Sequence, residues 1–323
     1  MRLIILFWVL AISVVPVCRA QDAERFNAYV EALKSEAMTE GFSADFLEEV
    51  FNDITFRPSV VKSDKNQPEK KITLDDYLST RVPDWKVKQA VTQFNDNKAL
   101  LTEIGLKYGV QPRFIVALWG NESNFGRIQG SYSVLSALAS LAFEGRREAL
   151  FKKNFFAALT ILNEGHTSVD KLKGSWAGAM GQSQFMPVSF LTYAVDYDGD
   201  GKKDIWNNKA DVFASIANYL SSEGWDDEGT WGRQVLLTKP IKEFGLSKHA
   251  YKPLSYWHEN GVTRFNGSPL PKASISASLI MPDGEEGRIY LVYNNFHTLM
   301  KWNRSQYFGV SVGYLSERIK RGY

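Results

Sequence analysis

A carboxylate placed where an apolar helix ends is a candidate acid. In Phe114-Ile-Val-Ala-Leu-Trp-Gly-Asn-Glu-Ser-Asn-Phe-Gly126 the residues after Arg113 are apolar through Trp119, then polar from Asn121 to Asn124. Glu122 at that boundary is expected to be partly desolvated, which raises its pKa and keeps a proton on it near neutrality. Such a donor suits cleavage of a glycosidic bond. An ordinary exposed glutamate at a helix end is the competing reading, and this segment alone does not separate the two.

A second group of residues suits a cation. Asp196-Tyr-Asp-Gly-Asp-Gly-Lys-Lys-Asp204 has carboxylates at positions one, three, five and nine and Gly201 at six. That is the first half of an EF-hand calcium loop, in which Lys202 would give its backbone carbonyl. Asn207 stands where the bidentate glutamate of a standard loop belongs. The alternative is a solvated acidic turn before a helix. Carboxylates this crowded repel one another unless a cation joins them, so a structural calcium ion is favoured.

Helices must position these residues. Residues 22–53 carry apolar residues at three- and four-residue intervals, with Gly41 as a stop and Ser43 as a new start. Residues 56–72 are polar, contain Pro58 and Pro68, and are expected to be an extended connection. Thr73 and Asp76 form a capping-box start. Val87 to Tyr108 is helical and stopped by Gly109, and Pro112 opens the helix that leads to Glu122. Val134–Phe143, Arg146–Asn163 and Asp211–Ser222 read as further helices. Residues 231–285 are rich in Thr, Val, Pro and Gly, and Ala273–Ile280 alternates like a strand. Arg288–Phe296 and Tyr307–Lys320 return to core-compatible runs. No internal repeat is present.

Arg2, the apolar run Leu3–Val17 and Cys18-Arg19-Ala20 form a secretory signal, with cleavage before Gln21 favoured over lipid attachment at Cys18. Residues 1–20 hold two bases and no acid, so the processed chain has 36 basic and 36 acidic residues. A neutral chain gives no electrostatic argument for nucleic acid. Cys18 is the sole cysteine, so no disulfide is expected to support the fold.

Ala117-Leu-Trp-Gly-Asn-Glu-Ser-Asn-Phe-Gly126 resembles the catalytic motif of the membrane-bound lytic murein transglycosylase B family. Gly174-Ser-Trp-Ala-Gly-Ala-Met-Gly-Gln-Ser-Gln-Phe-Met-Pro-Val-Ser189 resembles that family's substrate-groove segment. Asn218-Tyr219 with Gly224-Trp225, Asn295-Phe296 through Lys301-Trp-Asn-Arg-Ser305, and Gln67-Pro-Glu-Lys-Lys-Ile-Thr-Leu-Asp-Asp-Tyr77 are similar as well. The resemblance covers nearly the whole processed chain.

It implies a mainly α (α+β) fold: an N-terminal helical region (21–95), a lysozyme-like catalytic core (96–230), a small mixed or β insertion (231–285) and a C-terminal return to the core (286–323). It implies a periplasmic lytic transglycosylase of peptidoglycan glycan strands, with Glu122 as acid and then base and no cofactor required for the chemistry. Ser175 and Gln184 are implied at the muramic acid, with Met180, Phe185 and Met186 as apolar walls and Tyr219 and Asn303 lining the same site. Arg146 and Arg147 match a paired-arginine position that could meet a lactyl carboxylate or peptide stem, or could be helix surface charge. Trp119 is expected to support Glu122 rather than touch sugar. In similar proteins a later aspartate completes the calcium site, a role for Asp211 here beside Asp196, Asp198, Asp200, Lys202 and Asp204. No wall-binding module is expected after the core. Proteins of cell-wall synthesis or division are candidate partners that the sequence does not specify. A water-using muramidase and a non-catalytic wall-binding protein are the alternatives, the second disfavoured by intact Glu122, Ser175 and Gln184.

Overall fold

The computed structural model describes residues 15–66 and 72–323; most of the expected signal and the 67–71 part of the Gln67–Tyr77 motif lie outside the described residues. The N-terminal helices are α1 (Val15–Thr39), α2 (Ala44–Phe51), α3 (Pro58–Lys65), α4 (Leu74–Arg81), α5 (Asp84–Asp96) and α6 (Lys98–Tyr108). Helix α1 thus begins inside the expected signal segment. Ser43 caps α2 by accepting from Phe46 N. Thr73 caps α4 by accepting from Asp76 N at 3.2 Å, but Asp76 answers the Thr73 hydroxyl, at 2.8 Å, rather than its backbone N–H. The expected extended connection contains α3, because Pro58 occupies a first-turn position where a missing N–H costs nothing. Val60 anchors that helix in the core. The expected helix from Val87 to Tyr108 is two helices, broken at Asn97, whose side-chain amide donates to Gln93 O at 2.7 Å.

Helix α7 (Pro112–Ser123) is apolar on every side from Phe114 to Trp119 and is buried throughout that stretch. A helix of this kind belongs at the centre of a core. The short strand β1 (Tyr132–Ser133) leads into α8 (Val134–Glu144) and α9 (Glu148–Asn163), and pairs antiparallel with β2 (Lys173–Gly174). The short α10 (Pro187–Tyr193) and α11 (Lys209–Ser222) follow, and α11 packs on α6 and α7.

The next segment builds a five-stranded antiparallel sheet from β3 (Gly232–Leu237), β4 (Tyr251–Pro253), β5 (Val262–Arg264), β6 (Ser276–Ile280) and β7 (Ile289–Val292), in the order β4-β6-β7-β3-β5. Helix α12 (Leu254–Glu259) joins β4 to β5. Central strand β7 lies beyond residue 285, so the sheet runs past the expected insertion boundary. Fully buried on both faces, β7 reads as a continuous apolar run like the core segments after it. Ile280, Tyr290 and Val292 face the helical core. Val235, Val262, Ala277, Leu279, Ile289 and Leu291 face a smaller core closed by Leu254 and Trp257 of α12.

The chain then returns through α13 (Asn294–Trp302) and α14 (Gln306–Arg321), and α14 packs along α5 and α7. A Cβ at Gly313 of α14 would meet the Trp231 ring at 2.2 Å. Gly313→Ala is therefore expected to destabilise the fold by about 1–3 kcal/mol through overpacking. Urea unfolding checks this as a lower midpoint at unchanged slope.

Candidate active site

The end of α7 is a tight, strained turn. Asn124 and Phe125 both adopt left-handed backbone conformations, with φ of 51° and 59°. Non-glycine residues take this region rarely, and they cluster at functional sites. Phe125 can fold back because residue 120 is glycine: a Cβ there would stand 2.7 Å from its ring. Ser123 closes the turn by accepting from Gly126 N at 3.0 Å. Together these contacts stop the helix at Ser123 and leave Glu122 half-buried between the buried Asn121 and Ser123.

Trp302 Nε1, at the end of α13, donates to Glu122 Oε1 at 2.6 Å. The Trp302 ring lies 5.3 Å from Phe185 and 4.6 Å from Tyr219, and Tyr219 lies 4.4 Å from Tyr193. Burial among these rings pushes the Glu122 carboxyl up to about 7, while the Trp302 hydrogen bond and the more distant cations Arg81 and Lys86 oppose the rise. Neither cation comes within ion-pair distance, 4.0 Å, of Glu122, and no acid is among the groups acting on it. Lys86 is itself buried, and burial followed by the neighbouring Arg81 brings its ammonium down to about 8. Trp302, Arg81 and Lys86 had no assigned role in the sequence reading. Lys86 could have been noticed, since it shares the buried stripe of α5 with Ala90, four residues on.

The segment after β2 reaches this cluster through Phe185, whose ring meets that of Trp302. Isolated bridges Gly174↔Met180 and Met180↔Phe185 fold it into a compact double turn. A Cβ at Gly174 would meet Ala179 O at 2.3 Å, so this fold requires glycine there. Ser175 is half-buried and its Oγ accepts from Ala179 N at 3.1 Å. Gln184 also has a left-handed backbone, with φ of 51°. Its Nε2 donates to Gly181 O at 2.8 Å and Gln129 O at 3.2 Å, leaving Oε1 as its available acceptor. Phe185 reaches Trp302, and Met186 is half-buried beside it. Met180, expected as an apolar wall, is 0% exposed and packs beneath the double turn instead, because it is the residue both bridges share. Trp119 is buried as expected and donates to Gln182 Oε1 at 2.8 Å, and Gln182 Nε2 donates to Trp206 O at 2.8 Å. Gln182, which the sequence reading passed over, therefore joins α7 to the groove segment.

Two expected lining positions do other work. Asn303 is exposed and caps the turn into α14, its Oδ1 accepting from Ser305 N at 3.0 Å. Arg146 and Arg147 both pair with Asp64, whose side chain is 2% exposed. A carboxylate so deep needs compensating cations. The arginine pair therefore ties α3 to the start of α9.

In the aspartate loop, carboxylate oxygens of Asp196, Asp198 and Asp211 lie within 4.8 Å of one another. Asp211 is fully buried on α11 and accepts from Tyr197 N at 2.8 Å and Asp204 N at 2.7 Å. Burial first, and then Asp198 and Asp196, raise its pKa. An all-oxygen donor set with converging negative charge fits a hard divalent cation. Asp200 and Asp204 turn their carboxylates to the loop's own backbone, at Lys202 N and at Trp206 N and Asn207 N, and the Lys202 side chain is exposed. Ile205, just after the loop, accepts from Gln182 N at 2.8 Å, so the loop braces the groove segment.

A mainly helical core with one carboxyl at the mouth of an aromatic cleft is the architecture of glycan-processing proteins of the lysozyme kind. The family model described as "Transglycosylase SLT domain" matches residues 25–317. The chain is 32% identical over 246 residues to membrane-bound lytic murein transglycosylase B of Escherichia coli (strain K12), covering 72% of this chain and 63% of that protein, less than two thirds of its length. Among solved structures it is similar to SltB3 from Pseudomonas aeruginosa in complex with NAG-NAM-pentapeptide (TM-score 0.87, 37% identity, covering 91% of this chain and 79% of that one). It is also similar to the Escherichia coli lytic transglycosylase Slt35 in complex with calcium (TM-score 0.78, 27% identity, 93% of each chain). The chain belongs to the transglycosylase SLT domain family.

A carboxyl whose folded pKa is raised costs stability once the unfolded form ionises. Raising Glu122 from 4.5 to about 7 costs roughly 3 kcal/mol at pH 8 and nothing at pH 4, where both states are protonated. Glu122→Gln is expected to raise the melting temperature at pH 8, with the gain fading as pH falls through 7 to 4. Thermal melts across that range check the prediction.

Proposed function

We propose that this chain is a periplasmic lytic transglycosylase that cleaves the MurNAc–GlcNAc bond of peptidoglycan without water and leaves a 1,6-anhydro end. The observation that carries the reading is the Glu122 carboxyl, which burial pushes up to about 7 and whose only hydrogen-bond partner among the described residues is the Trp302 indole. Hydrolases of this bond ordinarily use two carboxylates, whereas the groups acting on Glu122 are the Trp302 indole, Arg81 and Lys86, with no second carboxylate among them. Glu122 first gives its proton to the bridging oxygen as the bond to the muramic acid C1 breaks. The C6 hydroxyl of the same sugar then closes on C1 and returns its proton to Glu122. Atoms and protons balance with no water consumed, and the intramolecular nucleophile gains from proximity. Ser175 and the free Oε1 of Gln184 are the polar contacts to the muramic acid. Phe185, Met186, Tyr219 and Trp302 supply apolar surface for the sugar faces, and Trp302 holds the carboxyl in place. The lytic transglycosylases it resembles support this reading by their activity, and the SltB3 complex by its ligand. Among the described residues no helix is long and apolar enough to cross a membrane.

Digestion of purified sacculi should release products lighter by one water than hydrolytic ones, and products of hydrolytic mass would refute the reading. Glu122→Gln should lower turnover by about 100-fold or more. Because the acid step needs the proton, the rate should fall as pH rises through about 7. Lys86→Met removes a cation that favours ionised Glu122 and should move that alkaline limb upward; an unmoved limb would show that Lys86 does not act on the carboxyl.

We also propose a structural calcium ion held by Asp196, Asp198 and Asp211, with Asp200, Asp204 and the Lys202 carbonyl as further loop donors. It would offset the repulsion around buried Asp211 and stiffen the brace from Ile205 to Gln182. Adding calcium to chelator-treated protein should stabilise it, by about 2.7 kcal/mol at a hundredfold excess over Kd. Asp211→Asn should abolish that gain, and an unchanged melting temperature on calcium addition would end the proposal.

A further inference from the structure

A cavity of about 920 Å³, which Glu122 does not line, lies where the end of β7 meets β3, β5 and the start of α13. That volume is within the range of small-ligand sites, roughly 300–1,000 Å³. Its floor is Val235 and Leu291, both buried. Phe265 (57% exposed) and Ile275 (45%) stand at the mouth. The polar groups are cationic on one side. Arg264 has no hydrogen-bond or ion-pair partner for its side chain among the described residues, and Arg233 is held by Thr230 Oγ1 at 3.1 Å and by Glu317 at 3.6 Å. Both guanidinium groups lie within electrostatic reach of the half-buried Tyr293 phenol, which has no hydrogen-bond partner among the described residues. Asp226 and Glu228 also line the cavity.

The cavity and the Glu122 cleft share two helices. Helix α13 has Asn294 in the cavity and Trp302 on Glu122; eight residues at 1.5 Å each put these ends about 12 Å apart. Helix α11 brings Tyr219 to the cleft and is followed by Asp226 in the cavity.

We infer that this cavity is a second peptidoglycan subsite, which holds the peptide stem of a muramic acid bound near Glu122 by pairing a free stem carboxylate with Arg264 and Arg233. The inference rests on the substrate class proposed above. In a stem-bearing strand the lactyl carboxylate is spent in an amide, so the free carboxylates are on the peptide, and a bare glycan offers two guanidinium groups nothing. Alanine methyl groups suit the floor and mouth, and a stem amine suits Asp226 and Glu228. Four extended residues reach about 13 Å, comparable with the length of α13 between Asn294 and Trp302.

The probe is the sugar-free tetrapeptide L-Ala-γ-D-Glu-meso-diaminopimelate-D-Ala, titrated by calorimetry into the full chain, with backbone NMR shifts to locate it. The expected result is saturable binding with shifts at Leu291, Tyr293 and Asn294, weakened about tenfold or more in Arg264→Glu. Arg264 is exposed, so matching thermal melts should show that this variant remains folded. Absence of binding at millimolar peptide, binding that Arg264→Glu leaves unchanged, or shifts confined to the Glu122 cleft would overturn the subsite. Glu122→Gln separates the two proposals. It should bind the tetrapeptide as the parent does while losing turnover, and retained turnover would sink the catalytic reading but leave the subsite standing.

Discussion

The hydrogen bond from Trp302 Nε1 to Glu122 Oε1, 2.6 Å long, sits at the balance point of the site. Enclosure by aromatic rings drives the carboxyl toward its neutral form, and the indole N–H, Arg81 and Lys86 draw it back. Each pKa unit is worth about 1.4 kcal/mol, so the net rise to about 7 is the residue of larger opposing effects. Were either cation in contact with the carboxylate, the ionised form would dominate at neutrality and no proton would remain to donate. The arrangement works because the cations stand back and the donor in contact is neutral.

That balance depends on placing an indole and a carboxyl 180 residues apart in the chain within hydrogen-bond distance. The burial of α7 fixes one side, and the glycine at 120, with the left-handed pair Asn124–Phe125, ends the helix where the carboxyl emerges. The other side comes from α13, anchored through Asn295 to Asp226 and through Lys301 to Glu223. The groove segment is held from behind by Trp119 and Gln182, and Gln182 is held in turn by Ile205 after the aspartate loop. A cation in that loop would thus be felt at the groove through a short path of named hydrogen bonds.

Much of this was legible in the sequence where local rules agree. Ser43 and Thr73 marked their helix starts, and the apolar run before Glu122 marked a buried helix with a carboxyl at its end. The aspartate spacing marked a loop fit for a cation, and Asp196 and Asp198 do converge with Asp211. What stayed hidden were tertiary choices. Pro58 reads equally as a breaker or a first-turn residue, and only the burial of Val60 decides between them. Strand β7 looks like any apolar core run until four neighbouring strands give it a sheet. Trp302 and Asn303 are adjacent and both suited to bind sugar; the end of α13 turns the first toward Glu122 and the second to solvent. The Asp64 partner of Arg146 and Arg147 lies more than eighty residues away, beyond any spacing rule.

The central claim is the protonation state of one carboxyl, and it can be read without substrate. Carbon-13 carboxyl resonances of labelled protein, compared with those of Glu122→Gln, identify the Glu122 signal and give its titration midpoint. A midpoint near pH 7 is expected. A midpoint at the ordinary value of 4.5 would show the carboxylate ionised and solvated at neutrality, and the acid role assigned to it would be lost.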